Sequence, residues 1–401
     1  MQVAGIIAEY NPLHNGHVHH LEKTREVTGC DYVMVVMSGD YVQRGEPAVA
    51  NKFTRTKWAL ESGADIVFEL PAVCALSSAE RFALGGVSVL AGTGVLNYLC
   101  FGSEEPDILL LTKAAQILAD ETPAFKRAMQ EQLTLGKSYP RARFDAFDAL
   151  GAPHFLLDAL RSPNSILGIE YIRFLQKLAP KAQPVAIHRL NSDYNSPLLT
   201  GTISSATAIR EALFNSNPQA YKCMPQTIST EFASGSIKPV HPSSIETLAL
   251  YALRKMSLEQ LQALPDVREG FENVLQYNAR YSNSIEGLLA ALKSKRYTLA
   301  RCKRIVMCAL LGITKTHLIN ATQAKSLYLR VLGFRRSARP LISAISRNCS
   351  LPLIIRKADI AKCALDTSNL LELDIRAHDI YALLEGQSSI PRDFTQPPVI
   401  V

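Results

Sequence analysis

The sequence contains no apolar run close to the roughly 20 residues that a membrane-spanning helix requires. Its N-terminus lacks the basic start, apolar core and small-residue cleavage site of a secretory signal. Its eight cysteines are scattered, and no two of them have the C-x-x-C spacing of zinc or redox sites. These absences predict a cytoplasmic protein that acts without a membrane and keeps its thiols reduced.

Carboxylates are missing from one long stretch of the chain. Between Glu286 and Asp359 there is no Asp or Glu, but there are 15 Lys and Arg residues. Residues 241–401 carry 22 basic and 13 acidic residues, whereas residues 1–240 carry 21 and 23. A basic segment of this kind is typical of a surface that binds a nucleic acid backbone, so we expect an RNA partner. Its basic residues include Lys293, Lys295, Arg296, Arg301, Lys303, Arg304, Arg335, Arg336 and Arg339.

The N-terminal part of the chain alternates strand and helix patterns. The pattern predicts parallel strands at 3–10, 32–39, 65–70 and 97–102, and the first three are near-continuous apolar runs. Helix patterns separate these strands at 15–28, 51–62 and 77–91. The series predicts an α/β fold with a doubly wound parallel sheet, in which ligands bind beyond the carboxyl ends of the strands.

The remaining chain is predicted to be mainly helical. A last parallel strand at 184–188 would bring His188 and Arg189 to the ligand-binding edge of the sheet. We therefore predict two domains, an α/β catalytic domain at 1–240 and a basic, mainly helical, RNA-binding domain at 241–401. Within the second domain, 325–332 is predicted as a short strand, and Tyr297 and Tyr328 are expected to pack in the core.

The most informative motif lies just beyond the first strand. His14-Asn15-Gly16-His17 fits the H-x-G-H pattern of nucleotidyltransferases and begins a helix. Two imidazoles and a helix N-terminus can stabilise the negative charge that develops when a nucleophile attacks the α-phosphate of ATP. Gly16 would let the phosphates approach the backbone. We expect His14 and His17 to be the catalytic residues.

The spacing of these histidines also suits functions other than phosphate chemistry. His14, His17 and His20 have a spacing that suits metal ligands, but no carboxylate or cysteine nearby completes a set, so no metal site is predicted. His19 and His20 are expected on the helix surface rather than as catalysts. Magnesium is expected from general ATP chemistry, and Asp40 is its nearest candidate ligand.

Further polar residues follow the predicted strands and helices. Asn164 or Ser165 is a candidate helix cap, and Ser204-Ser205 caps the helix that carries Arg210. Arg189 and Arg210 could neutralise the β- and γ-phosphates. Surface or capping roles for Ser204 and Arg210 remain open. Lys52, Arg55 and Lys57 are expected on a solvated helix face.

Several segments together resemble the bacterial tRNA(Met) cytidine acetate ligase family. They are GIIAEYNPLHNGHVHHL, MSGDYVQRGEPA, NKFTRTKWALESGADIVFELP, CFGSE, GKSYPRAR, SPNSILGIEY, IHR with a following DYN, and ISSATAIR. The resemblance is strong over roughly residues 1–215 and loose beyond them. It implies that acetate and ATP form acetyl-adenylate and pyrophosphate, and that the acetyl group then passes to the N4 amine of the wobble cytidine of elongator tRNA-Met.

The resemblance also implies an ATP site. Together with Ser205, which we add from its capping position, the predicted ATP-binding residues are Ile7, Ala8, Glu9, Tyr10, Asn11, Pro12, Leu13, His14, Asn15, Gly16, His17, Val18, His19, His20, Gly102, Asn164, His188, Arg189 and Ser205. Gly102 is expected to allow a close approach of the ligand. Two rival functions stay open, a small-molecule adenylyltransferase of cofactor biosynthesis and a non-catalytic RNA-binding protein.

Overall fold

The computed structural model describes residues 1–401 except 105, 190–198, 200, 269, 324–325, 386–392 and 394. The predicted loop residues Asn191, Asp193 and Asn195 therefore lie outside the described residues. The strands are β1 Val3–Ala8, β2 Tyr32–Ser38, β3 Tyr41–Val42, β4 Glu46–Pro47, β5 Ile66–Leu70, β6 Tyr98–Ser103, β7 Gln183–His188, β8 Leu329–Phe334, β9 Leu353–Ile354 and β10 Val399–Ile400.

The main sheet has the order β10-β8-β5-β2-β1-β6-β7, and β9 pairs with β8. Strands β5, β2, β1, β6 and β7 are parallel to one another. The chain runs outward from β1 first toward β5 and then, through β6, toward β7. This reversal makes the gap between β1 and β6 the topological switch point, where ligands of doubly wound sheets bind. The predicted fold class is confirmed.

Helices cover both faces of the sheet. The α-helices are α1 Asn15–Thr28, α2 Lys52–Glu61, α3 Ala72–Ala75, α4 Ala79–Gly92, α5 Ile108–Ala119, α6 Pro123–Thr134, α7 Tyr139–Ala149, α8 His154–Ala159, α9 Pro163–Leu178, α10 Ala206–Phe214, α11 Gln226–Ala233, α12 Glu246–Lys255, α13 Leu258–Gln262, α14 Phe271–Tyr281, α15 Ile285–Leu292, α16 Leu299–Leu311, α17 Lys315–Thr322, α18 Arg339–Asn348 and α19 Leu365–Leu384. Short 3-10 helices lie at Pro218–Cys223, Pro242–Ile245, Arg336–Ala338 and Lys357–Lys362.

The central strands are apolar at nearly every position because helices cover both faces of the sheet. In β2, Met34 and Val36 point into the hydrophobic cluster on one face of the sheet, and Val33 and Val35 point into the cluster on the other face. Because successive side chains of a strand alternate between faces, a strand that is covered on both must be apolar at every position.

The C-terminal part of the chain returns to the sheet. The predicted strand at 325–332 exists as β8, and it pairs antiparallel with β5. Strand β10 then pairs with β8. The division of the chain at residue 240 stays a prediction, and any such division has to accommodate a sheet that both parts share.

Helix caps refine several predicted boundaries. Ser162, followed by Pro163, is the N-cap of α9, and its Oγ accepts from the backbone N–H of Ser165, so the predicted cap at Asn164 or Ser165 is wrong. The sequence pattern also predicts a helix at 359–365, but a 3-10 helix at Lys357–Lys362 occupies most of that segment. Tyr297 and Tyr328 are buried as expected.

No single helix among the described residues combines the length and apolarity that crossing a membrane requires. The pair α16 and α17 reaches that length and composition only together, and the two helices are bent by 100° at their junction.

Candidate active site

A cleft lies at the switch point of the sheet, beyond the carboxyl ends of β1, β6 and β7. The N-termini of α1 and α10 both reach it, because His17 and Ser205 line its wall. Helix N-termini carry free N–H groups and the positive end of the helix dipole, so two of them at one cleft favour an anionic ligand.

His14 is the N-cap residue of α1, and His17 completes a capping box with it. Nδ1 of His14 accepts a hydrogen bond from the backbone N–H of Gly16 at 3.1 Å, and Nδ1 of His17 accepts one from the backbone N–H of His14 at 3.3 Å. The two rings stack with their centroids 3.8 Å apart. Because a neutral imidazole that accepts at Nδ1 carries its proton on Nε2, each ring has one Nε2–H donor to offer.

Both imidazoles are neutral at neutral pH. Burial, reinforced by repulsion from Arg189 and Arg210, lowers the pKa of His14 to about 3. Burial also lowers the pKa of His17 well below its ordinary value and that of His20 to about 4. Rings that are fixed by the helix backbone before an anion arrives need little reorganisation when charge develops on the ligand.

The position of the His14 ring requires a glycine at residue 16. A Cβ at this position would lie 3.0 Å from Cε1 of His14, which is closer than such contacts normally come. The glycine therefore lets the His14 ring fold over the first turn of α1. The predicted approach of phosphates to this backbone stays a prediction.

Asn164 and Arg189 both contact the carboxylate of Glu104, which was not among the predicted site residues. Nδ2 of Asn164 donates to Oε1 of Glu104, and Nε of Arg189 lies 3.7 Å from the same oxygen. Gly102 makes room for this arrangement, since a Cβ there would lie 3.2 Å from Cγ of Arg189. Glu104 belongs to the CFGSE segment, so its position just after β6 was the signal that could have identified it.

Arg210 reaches the cleft from the second turn of α10. Its Nη1 donates to the backbone oxygen of Asn11 at 2.8 Å, and its guanidinium is buried. Gln43 and Arg44, from the loop between β3 and β4, also line the cleft and were missed, although both lie in a segment that carries the family resemblance. One wall of the cleft is apolar and was not predicted from the sequence. It offers a surface suited to a nucleobase and consists of Phe82, Phe101, Leu167 and Tyr171.

Most of the predicted ATP-binding residues line this one cleft. They are Ile7, Ala8, Glu9, Tyr10, Asn11, His14, Gly16, His17, His19, His20, Gly102, Asn164, His188, Arg189 and Ser205. Four others do not line it. Leu13 is fully buried in the hydrophobic core, and Val18 packs against that core. Asn15 donates hydrogen bonds to the backbone oxygens of Thr202 and Lys222. Pro12 follows Asn11 through a cis peptide bond.

Two residues expected on a solvated face are buried. Lys52 and Arg55 are fully inaccessible, whereas the side chain of Lys57 is 45% exposed. Arg55 donates to the backbone oxygens of Glu9 at 2.7 Å, Ser38 at 3.0 Å and Gly39. It therefore satisfies carbonyl groups that β1 and β2 leave unpaired at their carboxyl ends, directly beneath the cleft.

Asp40 does not fit the expected role of a magnesium ligand. Its Oδ1 accepts from the backbone N–H of Lys52 at 2.7 Å, and its Oδ2 lies 2.8 Å from Nδ1 of His378. Although burial raises the pKa of Asp40, His378, Lys52 and Arg55 together hold that pKa below its usual range. Both oxygens are thus used inside the fold, and within the described part of the chain no group of three or more metal-ligating side chains exists.

The fold and the cleft together define a class of protein. An H-x-G-H turn that begins a helix at the switch point, with basic residues from β7 and α10, is the arrangement of a nucleotidyltransferase. In agreement, a family model described as HIGH Nucleotidyl Transferase matches residues 1–395.

Comparisons with individual proteins narrow this class. The chain is 39% identical to the tRNA(Met) cytidine acetate ligase of Acetivibrio thermocellus over 100% of both sequences, and 40% identical to that of Caldicellulosiruptor saccharolyticus over 100% and 99%. It is also similar to a crystal structure of Thermotoga maritima TmcAL bound with alpha-thio ATP, with 31% identity, a TM-score of 0.92 and coverage of 100% of both chains. The chain belongs to the tRNA(Met) cytidine acetate ligase family.

Proposed function

We propose that this protein is an ATP-dependent ligase that acetylates the wobble cytidine of elongator tRNA-Met in the cytoplasm. The observation that carries the proposal is the His14–His17 capping box, which fixes two neutral imidazole donors at an anion-binding cleft. The Thermotoga maritima structure holds an ATP analogue, which supports ATP as the ligand of the equivalent cleft here. The relatives' name, tRNA(Met) cytidine acetate ligase, supports acetate and a cytidine of tRNA-Met as substrates, and the wobble position and the elongator tRNA are part of the proposal.

In the first step, an acetate oxygen attacks the α-phosphorus of ATP and pyrophosphate leaves. Negative charge grows on the phosphate oxygens, and the Nε2–H donors of His14 and His17 stabilise it. Arg189 and Arg210 line the same cleft and offset the charge of the departing pyrophosphate. The apolar wall of the cleft takes the adenine ring.

In the second step, the N4 amine of the cytidine attacks the carbonyl carbon of acetyl-adenylate, and AMP leaves. The cytidine must reach the cleft on an RNA that is bound elsewhere on the protein. Helix α16 lies beside the cleft, because Arg304 donates to the backbone oxygen of Gln43 and Lys303 pairs with Glu46. RNA held on the basic helical region would therefore be close to the site.

The proposal is tested by mass spectrometry of tRNA nucleosides after incubation of tRNA-Met with protein, ATP and acetate. We expect N4-acetylcytidine only when all components are present. Pyrophosphate release without acetylated tRNA would favour a small-molecule adenylyltransferase instead. ATP binding without pyrophosphate release would favour a non-catalytic RNA-binding protein.

The catalytic role of the two histidines has its own test. His14→Ala and His17→Ala should each slow acetate-dependent pyrophosphate release by about 100-fold or more, because each removes a preorganised donor. Circular dichroism and the melting temperature verify folding. Wild-type rates in both folded variants would remove the catalytic assignment.

A further inference from the structure

Glu9 is an acidic residue in a cleft that otherwise favours anions. It follows β1 and lines the cleft together with Arg44, Arg189 and Arg210. Among the described residues that line the cleft, it is the only carboxylic acid. A carboxylate here repels the phosphates of ATP, so it weakens nucleotide binding and needs a use that compensates for this cost.

The side chain of Glu9 is held in place. Its Oε1 accepts a hydrogen bond from the backbone N–H of Gln43 at 2.7 Å. The arginines 44, 55 and 210 lie near enough to favour its ionised form, although burial outweighs them and raises its pKa. The hydrogen bond therefore holds the carboxylate of Glu9 against the loop that carries Gln43. Because its pKa is raised, this carboxylate is a stronger base than that of an exposed glutamate.

The second step of the proposed function has a requirement that His14, His17 and His20 meet poorly. When the cytidine N4 amine forms its bond to the acetyl carbon, it must lose a proton, because the amide product carries only one N–H. His14 and His17 accept backbone hydrogen bonds at Nδ1, so their Nε2 atoms already carry protons and can only donate. Burial lowers the pKa of His20 to about 4, which makes it a weak base.

We propose that Glu9 is the general base of acetyl transfer, a role that rests on the proposed function. The N4 nitrogen bonds to the carbonyl carbon, the bond between that carbon and the phosphate oxygen breaks, and AMP departs with the electron pair. The carboxylate of Glu9 takes the proton from N4 and later releases it to water. Glu9 acts after pyrophosphate has left, when the repulsion is smallest.

The test separates the two steps. Glu9→Gln keeps an oxygen that can accept from Gln43 but cannot take the proton. Because Glu9 also lines the ATP cleft, the quantity to compare is the loss in each step, and we expect acetate-dependent ATP–pyrophosphate exchange to lose much less of its rate than acetyl transfer does. Acetyl transfer from synthetic acetyl-adenylate to a tRNA-Met transcript should slow by about 100-fold or more, as loss of a general base does.

The pH profile distinguishes a base from a positioning residue. Wild-type transfer should rise with pH through one apparent pKa above the ordinary value for glutamate, that rise should disappear in Glu9→Gln, and Glu9→Asp should restore part of it. Transfer by folded Glu9→Gln at the wild-type rate, or an equal loss of exchange and transfer, would overturn the inference. If wild-type protein carries out neither step, the proposed function itself fails.

Discussion

At the residue scale, the main surprise is a guanidinium group with no exposure to solvent. In the sequence, Arg55 stands on a helix with Lys52 and Lys57, and such a row of charges is typical of a solvated face. The side chain instead binds the backbone oxygens of Ala50, Glu9, Ser38 and Gly39. Only the tertiary structure determines which carbonyl groups lack partners, so no local pattern could have revealed this role.

Replacing Arg55 should destabilise the fold even when the new side chain is also a cation. We expect Arg55→Lys to lower the free energy of unfolding by about 2–4 kcal/mol, because a single ammonium cannot reach the carbonyl groups that the guanidinium binds. Urea titration measures the change. Lys57→Gln, on the same helix but partly exposed, is the control and should change stability by about 1 kcal/mol or less. Equal effects of the two variants would contradict the assigned role.

The buried histidines predict a loss of stability in acid. In the folded protein the pKa of His14 is about 3 and that of His20 about 4, whereas both are near 6.5 in the unfolded chain. The unfolded state therefore binds more protons below pH 6.5, and stability falls as the pH decreases from 6.5 toward 3. Thermal melts at pH 7 and pH 5 should show a smaller decrease for His20→Asn than for wild type. An unchanged pH dependence in that variant would argue against the lowered pKa of His20.

At the element scale, the strands were predictable because their chemistry is local. A strand buried on both faces must be apolar throughout, and β1, β2 and β5 lie within two residues of their predicted limits. The predicted first strand ran to Tyr10, but it ends at Ala8 since the backbone turns to a φ of 48° at Tyr10. Helices α17 and α18 were not predicted, although both carry local signals: Leu341, Ala344 and Ile345 recur at helical spacing in α18, and Thr314 and His317 form a capping box at the start of α17.

The basic segment has a mixed role that the sequence did not reveal. Lys303 pairs with Glu46, Arg301 and Arg335 donate to backbone oxygens, and Arg330 is buried among carboxylates. Part of the positive charge thus serves the fold. Among the residues of the segment that the structure describes, the exposed basic ones are Lys293, Lys295, Arg336, Arg339, Arg347, Arg356 and Lys357.

The exposed lysines that follow α15 test the proposed RNA contact. Lys293→Glu with Lys295→Glu should weaken binding of tRNA-Met at least about tenfold at low salt, and should reduce the slope of log affinity against log salt by about 1–2, as expected when phosphate contacts are lost. Filter binding at several salt concentrations measures both. The control is Lys177→Glu with Lys181→Glu, an exposed pair at and just after the C-terminal end of α9, which should leave binding unchanged. Equal effects would point to a general charge effect.

At the scale of the whole molecule, the N- and C-terminal parts are joined by buried ion pairs. Nζ of Lys52 lies 2.7 Å from Oε1 of Glu69 and 2.9 Å from Oδ2 of Asp393, and Arg330 pairs with both carboxylates. Local sequence patterns cannot indicate these ion pairs, because Lys52, Arg330 and Asp393 belong to segments that lie far apart in the chain. The ion pairs and the antiparallel strand β8 make the C-terminal part a structural component of the catalytic sheet.

Removing one charge from this group should destabilise the whole protein. Arg330→Met leaves Glu69 and Asp393 buried with Lys52 as their remaining cation, so we expect the free energy of unfolding to fall by about 3–5 kcal/mol. Arg336→Met, at an exposed position nearby, should have little effect on stability. A small effect of Arg330→Met would mean that the carboxylates are neutral or find other partners. By the same argument, a chain cut at residue 240 should not fold, so its lack of activity would say nothing about the RNA-binding role.

The pairing of Lys52 with Asp393 also sets the order of events during synthesis. These two residues are separated by 341 residues, and a ribosome needs roughly 20–70 s to add that length at about 5–20 residues per second. During that time the carboxylate of Glu69 and the edge of β5 lack their final partners. The nascent N-terminal segment therefore cannot complete its native structure until translation of the C-terminal part is nearly finished, which makes it a natural client for chaperones that shield unpaired strand edges.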